Sequence, residues 1–66
     1  MTCRKARRIC GGLVENKYPG FALMMDRIDP YTYMSLWGCG ERRIEIVFPR
    51  KNKGEIKAHI AEYRVR

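Results

Sequence analysis

Residues 31–48 read YTYMSLWGCGERRIEIVF, and the fold turns on how this stretch is understood. Tyr31, Tyr33, Ser35 and Trp37 share one parity, while Thr32, Met34 and Leu36 share the other. Past a turn at Gly38-Cys39-Gly40-Glu41, Arg42, Ile44, Ile46 and Phe48 take one face, and Arg43, Glu45 and Val47 the opposite one. Period-two alternation rich in aromatic and β-branched residues, broken by glycines, is the pattern of strand, turn and strand. The sequence therefore predicts a β-hairpin at the centre of the domain.

Upstream, Phe21 to Ile28 reads as a further strand, with Phe21, Leu23 and Met25 on one parity and Ala22, Met24 and Ile28 on the other. Both faces are apolar at its start, which suits a strand covered on two sides or one contributing to a dimer contact. Tyr18-Pro19-Gly20 has the order of a type II turn, and Asp29-Pro30 predicts a tight link into Tyr31. The segment 2–10, TCRKARRIC, fits a short helix or a basic strand equally. Gly11-Gly12 reads as a break, and Leu13-Val14 as part of a first strand, which leaves residues 1–10 as a basic arm.

Downstream, Pro49 to Gly54 (PRKNKG) is a polar loop. Residues 55–66 fit two descriptions. Ile56, Ile60 and Tyr63 have helical spacing, with Asn52 and Glu55 as a capping pair. Alternatively Lys57, His59, Ala61, Tyr63 and Val65 form one face of a strand, opposite Ile56, Ala58 and Ile60. The short loop and the ending Tyr-Arg-Val-Arg favour the strand. The expected fold is mainly β: a small antiparallel sheet or partly open barrel of four or five strands around the central hairpin, in one domain spanning residues 1–66. The alternative is an α+β fold with a C-terminal helix.

Fourteen Lys and Arg against seven Asp and Glu give the 66-residue chain a net charge of +7. Such a balance favours contact with nucleic acid, an anionic membrane or an acidic protein surface. A membrane is the weakest of the three. The longest apolar run, Phe21 to Met25, falls far short of the roughly 20 residues that span a bilayer, and no long amphipathic helix carries the cations. The first ten residues lack the apolar segment of a signal peptide. Cys3, Cys10 and Cys39 are odd in number, so free thiols in a reducing, cytoplasmic setting are expected. A core this small gains from oligomerisation, and a homodimer would supply it.

Catalysis finds little support. His59 and Ser35 are the single histidine and the single serine. No phosphate-cradling glycine motif occurs, since Gly38-Cys39-Gly40 lacks a third glycine and a following helix. A Cys39–His59 pair is chemically able to make a thiolate nucleophile, but nothing in its spacing marks it. Cys3, Cys10, Cys39 and His59 have the donor types of a zinc site, yet the spacing of Cys3 and Cys10 departs from the two to four intervening residues such sites use. No enzyme, metal or cofactor is therefore expected.

The residues that suit binding are cationic and aromatic. Arg4, Lys5, Arg7 and Arg8, with Arg42, Arg43, Arg50, Lys51 and Lys53, are candidates for contacts with nucleic-acid phosphates. Tyr31, Tyr33 and Trp37 are candidates for stacking on bases or meeting a protein partner, set against the plainer reading of an aromatic stripe as core. The expected function is a non-enzymatic basic module that contacts nucleic acid. The alternative is a small inhibitor or adaptor, of the kind phages and mobile elements encode, docking on nucleic-acid-processing machinery. Met24, Met25 and Met34 would lend such a surface adaptable apolar area.

Overall fold

The computed structural model describes residues 3–50 and 58–65, which form one helix and four strands. The order is α1 (Cys3–Lys17), β1 (Ala22–Ile28), β2 (Thr32–Cys39), β3 (Arg42–Pro49) and β4 (His59–Arg64). The strands make an open antiparallel sheet in the order β1-β2-β3-β4, so each pairs with its neighbour in sequence. The mainly β expectation holds, as an open sheet rather than a barrel. The C-terminal segment takes the strand alternative over His59–Arg64, and the helix of the fold lies at the other end of the chain.

The central hairpin closes on Gly40 and Glu41, with Cys39 opposite Arg42. Gly40 has φ +60, a left-handed conformation that suits glycine. This register decides the core. It sets Tyr33 opposite Phe48, Ser35 opposite Ile46, and Trp37 opposite Ile44. Directly paired residues point to the same side of a sheet. The aromatic stripe of β2 and the Ile-Ile-Phe stripe of β3 thus line one face together, and the helix covers them.

Helix α1 overturns two expectations: it runs unbroken through Gly11-Gly12, and it takes up residues 3–10 of the presumed basic arm as well as Leu13-Val14. The reason is tertiary. Ala6, Cys10 and Val14 recur every four residues and are all buried against the sheet, a stripe at helical spacing. Two interior glycines cost about 1 kcal/mol each relative to alanine, less than packing this stripe against the sheet returns. Gly12 is exposed, and a Cβ there would have open space around it. Gly12→Ala is therefore expected to raise stability by about 0.5–1 kcal/mol in urea denaturation.

The predicted turns form as expected. Tyr18 continues the helix by donating to the Val14 carbonyl at 2.7 Å, and Gly20 then adopts φ +93. At the opposite end of β1, the Asp29 carboxylate accepts hydrogen bonds from the Tyr31 and Thr32 amides and from the Thr32 hydroxyl. Those bonds hold the Asp29 carboxyl below the usual aspartate range. Within β1 the simple parity fails. Leu23 lies opposite Trp37 and Met25 opposite Leu36, so Met24 is an extra residue in a bulge. Leu23, Asp26 and Ile28 consequently face the helix, and Met25 and Arg27 turn to the other side.

Polar bonds pin the helix to the sheet. Arg7 Nε donates to Asp26 Oδ2 at 2.7 Å, and the Tyr33 hydroxyl donates to the same oxygen at 2.8 Å. The Arg7 bond, helped by Tyr33, holds Asp26 below the ordinary carboxylate range, while burial pushes the Tyr33 hydroxyl up. A carboxyl whose folded pKa is depressed stabilises above its unfolded value, about 3.9, and loses that contribution as pH falls through the folded value. The urea midpoint is thus expected to hold from about pH 7 to 5 and to fall below about pH 4. Asp26→Asn should make that fall shallower.

Candidate nucleic-acid interface

The helix direction determines which cations meet. Arg7 binds Asp26, Cys10 lies against Ser35, and Tyr18 stacks edge-on with Phe21. Helix α1 therefore starts above the Ile28 end of β1 and finishes above its beginning. Arg50 is drawn to the same end of the sheet, where its guanidinium donates to the Asp29 carbonyl at 2.7 Å. Asp26 and Asp29 are three residues apart, about 10 Å along an extended chain. The Arg4–Arg8 cluster and Arg50, more than forty positions apart in sequence, are thus brought to one end of the sheet.

The outward side of the first two helical turns carries Arg4, Lys5, Arg7 and Arg8, all exposed. No acid lies in the first turn. Arg and Lys suit a helix by propensity, but electrostatics within the helix works against cations at this end. The N-terminal end of the macrodipole disfavours cations. Arg4 also sits at repulsive spacing from Arg7 and Arg8, and Lys5 from Arg8. Arg7 has in Asp26 an acidic partner that the fold itself requires.

The other predicted cations are placed differently. Arg42 and Arg43 stand at the hairpin end, away from this cluster. The Arg42 guanidinium lies 5.0 Å from the Phe21 ring centroid and bonds Glu62 at 2.6 Å, which raises its pKa. Arg43 donates to the carbonyls of Gly40 and Arg42 and braces the turn. Lys51 and Lys53 lie outside the described residues. The aromatic candidates divide. Tyr31 is exposed beside the Asp29 turn, but Tyr33 is fully buried and Trp37 nearly so, its indole donating to the Ser35 hydroxyl at 2.8 Å. Burial beneath the helix removes Tyr33 and Trp37 from any stacking surface, and this corrects the reading of a shared aromatic platform.

The candidate nucleophiles are also dispersed. Burial pushes the Cys10 thiol up in pKa. Cys39 is at the hairpin end, whereas His59 pairs with Val47 five residues farther along β3, about 16 Å away. The described side chains therefore do not bring Cys39 and His59 together.

Sequence reasoning undervalued the second face of the sheet. Met25, Leu36, Met34 and Val47 alternate with the buried stripes and stay partly or fully exposed. The signal was present in the off-parity residues of the hairpin and in the two-sided apolar start of β1. No helix among the described residues is long and apolar enough to cross a membrane. The chain matches no protein-family model, no curated protein and no solved structure.

Proposed function

We propose that this protein is a non-enzymatic module that grips a nucleic-acid backbone at its basic end. One observation carries the reading: Arg4, Lys5, Arg7 and Arg8 converge with Arg50 at the start of the helix, where the dipole and mutual repulsion both disfavour cations. A row of phosphates reverses both penalties. Guanidinium and ammonium groups donate to phosphate oxygens, and counterions released from the nucleic acid supply the driving force. Such binding is set by the backbone, with little dependence on base sequence. Of the three aromatic candidates, exposed Tyr31, beside Arg50, is the one able to meet an unpaired base.

The test is fluorescence anisotropy with labelled single-stranded and duplex DNA and RNA at two salt concentrations. Binding below about 10 μM at low salt is expected, with a log–log salt slope of about −3 to −3.5 on single strands and about −3.5 to −4.5 on duplex DNA for four or five neutralised phosphates. No binding at low salt would overturn the proposal. An inhibitor or adaptor docking on an acidic protein would instead show a stoichiometric complex that survives nuclease.

A further inference from the structure

We infer that the uncovered face of the sheet is where a second copy of this chain packs, sheet against sheet, with the two helices outermost. The helix covers one side of the sheet only. On the other side the cross-strand pairs make a regular grid, in which Met25 lies beside Leu36 and Glu45, and Arg27 lies beside Met34 and Val47. Four strands about 4.8 Å apart, with some seven residues each rising about 3.3 Å, give a face of roughly 19 by 23 Å. A helix is only about 10 Å across and would leave half of that face in water. Another sheet of equal size covers it all. That face, about 440 Å² in projection, falls below the roughly 800 Å² per partner of a standard interface and suits a weak, concentration-dependent dimer.

Charge selects the copy. Glu45 stands in the middle of this face, between Arg43 and Val47 along β3 and between Leu36 and Ala61 across it, with no hydrogen bond or ion pair to any of the described residues. Arg27, exposed at the corner, is two strand spacings across and two residues along, about 12 Å away, and does not pair with Glu45 within one chain. In a two-fold contact, each copy's Glu45 meets its partner copy's Arg27, and both pairs form at once. The Arg4–Arg8 cluster, on the far side of the helix layer, lies well beyond the Debye length of about 8 Å from the opposite copy, so self-repulsion is screened. The assembly would present two basic ends facing outward.

Sedimentation velocity of the full chain between about 1 and 200 μM tests this directly, because dimerisation follows mass action. The expected result is a shift from one chain mass to two. Glu45→Arg and Arg27→Glu should each weaken the dimer at least about tenfold, and combining them should restore it, since the swapped pair has the same complementarity. Far-UV circular dichroism identifies any variant that fails to fold, and the wild-type mass distribution stands without the variants. A single chain mass across the whole range overturns the inference, as does a double variant no tighter than either single one. No nucleic acid enters this experiment, so its failure is distinguishable from failure of the proposed function.

Discussion

Replacing Ile46 by alanine should leave much of the chain unfolded at 25 °C. Ile46 is fully buried in the middle of β3, with Ser35 opposite it in β2, Ile60 opposite it in β4, and the helix above. Truncating a fully buried isoleucine costs about 2–5 kcal/mol, since transfer and cavity contributions add. A chain of this length rarely draws more than about 3–5 kcal/mol from a single core. The loss therefore rivals the whole stability. Urea denaturation and near-ultraviolet circular dichroism, both at one fixed protein concentration, would read it, because self-association adds to apparent stability. A loss under about 1 kcal/mol would show that the helix–sheet interface is not what holds the fold.

The double substitution Arg4→Glu with Arg8→Glu should separate folding from binding. Arg4→Glu puts a carboxylate in the first turn, where the helix dipole favours it, and the two changes turn the repulsive spacings with Arg7 and Lys5 into attractive ones. Thermal stability should therefore rise by roughly 0.3–1 kcal/mol, chiefly from Arg4→Glu, because the dipole effect fades beyond the first turn. Affinity should move the other way. Two cations that attract phosphate become two carboxylates that repel it, so binding at low salt should weaken by about 10- to 100-fold, and the salt slope should flatten by about 1.5–2. A variant that is more stable yet binds poorly cannot be explained as misfolded. Unchanged affinity and slope would take Arg4 and Arg8 out of the interface and leave the net charge without a localised role.

The basic end was legible only in pieces. The clusters at Arg4–Arg8 and Arg50 stand out in the sequence because few acids interrupt them. That they meet is a consequence of the helix polarity set by Arg7–Asp26 and of the Arg50 bond to the Asp29 carbonyl. Arg42 looked equivalent to these cations, yet Phe21 and Glu62 engage it within the fold, and neither partner is a sequence neighbour.

Local chemistry in the sequence settled the strands at 21–28 and 31–48, the turns at Tyr18-Pro19-Gly20 and Asp29-Pro30, and the preference for a strand at the C-terminal end. Period-two alternation and turn residues act over a few positions, so no distant contact is needed to read them. The shared face of the two hairpin stripes was not legible, because the sequence spread the turn over Gly38–Glu41, and the two-residue loop at Gly40-Glu41 is what sets Tyr33 against Phe48 and Trp37 against Ile44. Only the tertiary structure decided that Gly11-Gly12 lies inside a helix, that Met24 bulges and reverses the parity of β1, and that Tyr33 and Trp37 are core. At Gly11-Gly12 a long-range surface, the helix stripe against the sheet, outweighs a local preference of about 1 kcal/mol for each glycine.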